Sequence, residues 1–172
     1  GCGAIGTQIA IAIDTGMIPA QLTHIFDSDV SKTETLLTKL KQKPEVVENA
    51  HLLSSNSLDL VVEAASQNAV SDNALSILQN RKDLMIMSGG ALLDESVYEI
   101  ISDACKQFKK TVYLPSGAIS GLDALKSVKN ELESVTITTT KHPNSLRGAK
   151  FFETSNIKLD SISEVTTIFE GS

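Results

Sequence analysis

Three times between Leu58 and Gly121 a short apolar run breaks off in small residues and gives way to a helical pattern. The runs are "LDLVVEAAS", "DLMIMSGGAL" and "TVYLPSGAISGL". The first leads into "NAVSDNALSIL" from Asn68, which sets Val70, Ala74 and Leu78 on one helical face. The second leads into "DESVYEIISDACKQF", with Val97, Ile100, Ile101, Ala104 and Phe108 as its stripe. Apolar strands without strict alternation are buried on both faces, and strands that alternate with helices form a parallel sheet. Right-handed crossovers bring all the small-residue strand ends to one edge of that sheet. Open α/β sheets bind ligands at that edge. Ala64, Ala65, Ser66, Ser88 and Gly89 are therefore candidate lining residues, because small side chains admit a flat ring and expose backbone groups.

The chain opens on "GCGAIG", Gly1, Cys2, Gly3, Ala4, Ile5 and Gly6. Each glycine in this spacing has its own task. Gly1 permits a tight turn, Gly3 lets backbone approach a pyrophosphate, and Gly6 lets a helix pack closely. The helix pattern that follows, with Ile9, Ile13 and Met17 on one face and Gly16 near its end, would aim its positive end at the phosphates. A strand over Leu22 to Phe26 then closes on Asp27, which lies 21 residues after Gly6. About 20 residues is the spacing at which an acid accepts from the ribose 2′-hydroxyl of a dinucleotide. A carboxylate there repels a 2′-phosphate, so NAD is expected to bind better than NADP, with Lys32 offsetting part of the difference. The fold expected is α/β, a Rossmann-type doubly wound parallel sheet over residues 1–117. Part of a second, mixed α/β domain is expected over 118–172. Such a glycine turn normally follows a buried strand, and none precedes Gly1. The reading is thus of a chain truncated at its start, since the missing ladder partners would cost about 1–3 kcal/mol for each buried group.

Elsewhere the pattern is plainer. "VSKTETLLTKLKQKP" reads as a helix with Leu36, Leu37 and Leu40 inward, Lys39, Lys41 and Lys43 solvated, and Pro44 as its stop. "EVVENAHLLSSNS" reads as a short strand and a loop. From about Glu131 the texture changes. "SVTITTTKHP" alternates like a strand with one exposed face, and "KFFETSNIKLDSISEVTTIFEGS" reads as short strands and turns. Asp123 suits the start of a helix.

Composition narrows the function. A net charge of −6, no basic run and an aromatic fraction of 4% argue against nucleic acid. No apolar stretch reaches the length of a membrane span, so no membrane partner is expected. Cys2 and Cys105 form no ligand cluster, and no metal is expected; they read as free thiols in a reducing compartment, the cytoplasm. His24, His51 and His142 read as ordinary structural or solvated histidines.

The segments "GCGAIG", "DLVVEAAS", "MIMSGGALLDE", "VYLPSGAISGLDAL", "TTTKHP" and "FEGS" resemble, in order and spacing, those of the L-aspartate dehydrogenases. The resemblance implies a Rossmann domain followed by a substrate and dimerisation domain similar to that of homoserine dehydrogenase. It implies oxidation of L-aspartate to iminosuccinate with NAD, or NADP, and with it a homodimer. Iminosuccinate either releases ammonia and oxaloacetate or feeds NAD biosynthesis. The resemblance also implies a cofactor contact from the "SGA" turn, at Ala118. The family's catalytic His, and an Asn near the nicotinamide, lie downstream of "FEGS", so no catalytic residue is expected within this chain. Lys141 stands where the family pattern has arginine; it keeps the charge but not the planar fork that grips a carboxylate. Lys141 is the candidate contact to substrate. The same features also fit another amino-acid or semialdehyde dehydrogenase of this plan, or a regulatory module that binds NAD without catalysis.

Overall fold

The computed structural model describes the chain apart from residues 56, 118–120, 147–150, 153–154, 156 and 172. It divides into two compact units, Gly1–Leu122 and Asp123–Ser172. In the first, helices α1 (Ala4–Asp14), α2 (Val30–Lys39), α3 (Ala50–Ser55), α4 (Gln67–Gln79) and α5 (Glu95–Phe108) alternate with strands β1 (His24–Ile25), β2 (Glu45–Val46), β3 (Leu60–Glu63), β4 (Asp83–Ile86) and β5 (Val112–Tyr113). A 3₁₀ turn, Gly89–Leu93, links β4 to α5.

Every strand pairing is parallel, as the α/β reading requires. The ladders fall into two groups, β1–β2 and β3–β4–β5. His24 pairs with Glu45 in the first. In the second, Leu60 to Glu63 run beside Asp83 to Ile86, and Leu84 pairs with Val112. Gly1 and Cys2 lie between the two groups. The Cys2 thiol approaches the Phe26 carbonyl at 3.7 Å, just beyond β1. Gly1 packs against Ala64, just beyond β3.

Two cores match this division. Val61, Leu84 and Ile86 from the larger sheet pack with Val70, Ala74, Ile77 and Leu78 of α4 and Ile101 and Ala104 of α5. Successive right-handed crossovers place α4 and α5 side by side on one sheet face. Burial in β3 and β4 consequently alternates: Val61, Glu63, Leu84 and Ile86 are buried, while Val62 and Met85 are only half-buried. The smaller core joins Cys2, Ala10, Ile25, Leu36 and Leu40.

Several expectations are corrected. The inward position of α1 is Ala10, not the stripe through Met17, which lies beyond the helix and is 79% exposed. A small residue at the contact lets the helix approach the sheet closely. The helix α2 ends at Lys39, before Pro44, and Lys43 reaches back to its last carbonyls, those of Leu37 and Leu40. A helix, α3, stands where a loop was expected; Asn49 accepts the Leu52 N–H at its start. Ile100 is half-exposed because Ile101, one residue on, takes the inward position.

In the second unit α6 (Leu122–Ser127) carries Asp123 in its first turn, and two 3₁₀ turns follow, Pro143–Leu146 and Leu159–Ser161. The strands expected there are absent among the described residues, and 134–142 forms no ladder. Alternation makes a segment fit to pair, but a strand exists only where a neighbouring ladder satisfies its backbone.

Candidate functional site

The site is built at the carboxyl ends of β1, β3 and β4. The first turn of α1 begins at Gly3, which has no side chain to cap the helix amides. A side-chain carbon added at Gly3 would meet nothing within 4 Å. One added at Gly6 would collide with the Gly1 carbonyl oxygen. One added at Gly1 would collide with the Ala64 carbonyl oxygen and lie 2.9 Å from the Ala65 side chain. The demand on Gly1 is therefore for space beside β3, rather than for the tight turn read from the motif. The result is an open, uncapped helix start over a bare backbone, and such a cradle fits a pyrophosphate. Ala4 and Ile5 are exposed, so their side chains leave the backbone of this turn accessible.

Asp27 sits immediately beside the turn. Its Oδ2 accepts the Cys2 N–H at 2.7 Å and its Oδ1 accepts the Asp29 N–H at 2.9 Å. Partial burial pushes its carboxyl upward. The Asp29 and Cys2 N–H groups and the Lys32 charge outweigh that, and the group lies below the usual carboxylate range. Asp27 thus presents a fixed negative charge. Asp29 caps α2 through Ser31, accepting its N–H at 3.1 Å. Burial pushes the Cys2 thiol upward, which suits a packing residue rather than a reactive thiolate.

On the other side of the turn, Glu63 ends β3. Its Oε1 accepts the Ala65 N–H at 2.7 Å, the Ser66 N–H at 3.0 Å and the Ser88 hydroxyl at 2.8 Å. Its Oε2 accepts the Ser88 N–H at 3.0 Å. One side chain therefore fixes two strand ends. The Ser66 hydroxyl accepts the Ala69 N–H at 3.2 Å and so caps α4. The amides of Ser66 and Ser88, read from sequence as free to line a ligand, are already engaged; their hydroxyl oxygens remain as outward polar groups. Sequence reading missed Glu63, although an acid ending an otherwise apolar run was the signal.

A cleft of about 300 Å³ opens between these elements, lined by Gly1, Asp27, Ser28, Glu63, Ala65 and Asn68 among others. The structure thus brings together the Gly1–Gly6 turn, Asp27, Ala64, Ala65 and Ser66, and Glu63 joins Ser88 to them. Gly89 starts the 3₁₀ turn after β4 and is exposed. Ala118 lies outside the described residues. Lys141 is exposed in the second unit.

The histidines have other uses. His24 faces Glu45 at 3.4 Å and contacts the Thr23 hydroxyl at 2.9 Å. His51 is exposed on α3. The ring of His142 accepts the Asn144 N–H at 3.2 Å. Among the described residues no group of His, Cys, Asp and Glu comes together to hold a metal. No helix is long and apolar enough to cross a membrane.

A glycine cradle at a helix start, with an acid held against it at the carboxyl ends of parallel strands, defines a dinucleotide-binding α/β domain. The family described as "Homoserine dehydrogenase, NAD binding domain" matches residues 1–115, and "Aspartate dehydrogenase, C-terminal" matches residues 123–172. An L-aspartate dehydrogenase of Nitrosopumilus maritimus is 67% identical over 99% of this chain and 63% of its own length. One of Methanocella arvoryzae is 45% identical, with the same coverage. Among solved structures, the WlbA dehydrogenase from Bordetella pertussis, in complex with NADH and UDP-GlcNAcA, shares the fold with a TM-score of 0.61. It is 15% identical, and the match covers 76% of this chain and 38% of that one. The chain belongs to the aspartate dehydrogenase family, and its N-terminal domain is of the homoserine dehydrogenase NAD-binding type. The cofactor of this domain is NAD or NADP. The chain spans about 63% of the length of the curated relatives it matches.

Proposed function

We propose that the protein carrying this chain is an NAD-dependent L-aspartate dehydrogenase that oxidises aspartate to iminosuccinate. The observation that carries the reading is the bond from Cys2 N–H to Asp27, which joins the pyrophosphate cradle to the ribose-binding acid. The uncapped start of α1 takes the pyrophosphate over Gly1, Cys2, Gly3, Ala4, Ile5 and Gly6. Asp27 accepts from the adenosine ribose and, as an anion, disfavours the 2′-phosphate of NADP. Ala64, Ala65, Ser66, Ser88, Gly89 and Ala118 line the nicotinamide half. The cofactor supplies a hydride acceptor, while the protein supplies alignment and electrostatics.

The substrate assignment rests on the names of the relatives and on the match of residues 123–172. Lys141 supplies a cation for a substrate carboxylate. The two domains are joined through 116–122, with cofactor binding ahead of that turn and substrate binding and pairing with a second copy behind it. The product, iminosuccinate or the oxaloacetate and ammonia derived from it, belongs to cytoplasmic aspartate metabolism or to NAD biosynthesis. The test is NADH formation by the complete protein over a panel containing aspartate, homoserine, glutamate and alanine. Aspartate-dependent reduction of NAD is the expected result. Turnover of homoserine alone, or NAD binding without turnover of any amino acid, would overturn the assignment.

A further inference from the structure

Glu63 is buried, with 9% of its surface exposed, and four donors converge on its two oxygens. Each is an N–H or O–H, the pattern an ionised carboxylate fills. Buried carboxylates are normally paired with a cation. Among the described residues the ion pairs join His24 to Glu45, Lys106 to Asp103 and Lys110 to Asp83, and Glu63 is in none of them. Neutral donors hold this charge in place without cancelling it.

Its location gives the charge a use. Asp27, at the end of β1, stands on one side of the Gly1–Cys2 turn, and Glu63 and Ser88, at the ends of β3 and β4, stand on the other. A dinucleotide with its adenosine ribose at Asp27 and its pyrophosphate over the turn carries its other half across the ends of β3 and β4. That half ends in a ring that is cationic when oxidised and neutral when reduced.

The geometry points to Glu63 as the fixed counter-charge that makes this site favour oxidised over reduced nicotinamide dinucleotide. It is a positioning residue, reaching the cofactor through the field of a buried charge and through the Ala65, Ser66 and Ser88 groups it holds. The inference rests on the dinucleotide reading above. Its consequence is directional: the site grips NAD⁺ before hydride transfer and loosens on NADH afterwards.

The test measures the affinities of NAD⁺ and NADH for the complete protein by calorimetry, in wild type and in Glu63→Gln, Glu63→Asp and Ser88→Ala. Glu63→Gln removes the charge and should shift the ratio of the two affinities toward NADH by about tenfold. Glu63→Asp keeps the charge and should hold the ratio within about twofold even if both affinities drop. Ser88→Ala removes one donor and leaves the carboxylate, so the preference for NAD⁺ should persist or rise. An unchanged ratio in Glu63→Gln, or a shift toward NADH in Glu63→Asp or Ser88→Ala, overturns the inference. The latter two variants decide the matter if Glu63→Gln does not fold. Failure of the wild type to bind either coenzyme would instead remove the dinucleotide reading itself.

Discussion

The backbone N–H of Cys2 donates to Asp27 Oδ2 at 2.7 Å, although 25 residues separate the two. The glycine turn and the acid at the end of β1 are thereby one unit. Asp29 N–H fixes the other carboxylate oxygen at 2.9 Å, so the group cannot swing away when a 2′-phosphate approaches. We predict that Asp27→Asn raises NADPH affinity relative to NADH by about tenfold, the scale of one partly screened charge at close range. Fluorescence titration with both reduced coenzymes measures it. An unchanged ratio would show that Asp27 does not set the choice.

The position of the Asp27 carboxyl below the usual range fixes the pH window of that choice. An acid depressed in the folded protein stays charged through and below about pH 4, its unfolded range. Coenzyme preference should therefore be flat between pH 8 and pH 5. A preference that fades within that window would mean that some other group carries it.

Gly3 and Gly6 should separate binding from folding. At Gly3 an added methyl meets only open space, so Gly3→Ala should fold with Tm nearly unchanged but lose most coenzyme affinity. At Gly6 the methyl strikes the Gly1 carbonyl oxygen, so Gly6→Ala should lose stability, by about 1–3 kcal/mol, as well as binding. Thermal melts with and without NADH test both. If Gly3→Ala binds normally, pyrophosphate does not lie on this turn.

Acid should unfold the N-terminal unit through three carboxylates. The Asp14 carboxyl is lowered by the Gln42 and Lys41 N–H groups, Asp83 by the Thr111 N–H, and Asp94 by the Ser96 hydroxyl and the Val97 and Ser96 N–H groups. A depressed folded-state acid contributes stability that is present above its unfolded pKa and lost as pH falls through the folded one. Urea midpoints should thus be level above pH 5 and drop toward pH 3. Asp94→Asn keeps a capping oxygen but removes one titrating group, and its midpoint should fall less steeply over the same range. An identical slope would show that Asp94 contributes nothing to the acid limb.

Lys141 gives a prediction for the second unit. As a cation for a substrate carboxylate, its replacement in Lys141→Ala should raise the KM for aspartate without altering NADH affinity. Arginine at the same position should restore or tighten substrate binding through its two-pronged grip. Equal KM values in all three proteins would leave Lys141 a surface lysine.

The cofactor half of this site was legible because its logic is local. The spacing of Gly1, Gly3 and Gly6 and the distance to Asp27 lie on the surface of the sequence, and α4 and α5 announce themselves through Val70, Ala74, Leu78, Ile101 and Ala104. The role of Glu63 was not legible, because its partners Ser66 and Ser88 meet it only once β3 and β4 pair in register. The Thr-rich segment before Lys141 misled for a related reason: alternation records a propensity, while pairing needs a second strand. α3 escaped notice because a helix of 6 residues is too short to show a period.

The most direct test of the central claim is a calorimetric titration of the complete protein with NAD⁺ and NADP⁺, repeated on Asp27→Asn. Saturable NAD⁺ binding, weaker NADP⁺ binding and a narrowed gap in the variant are the predicted results. No measurable heat with either coenzyme would contradict a dinucleotide held between the Gly1–Gly6 turn and Asp27.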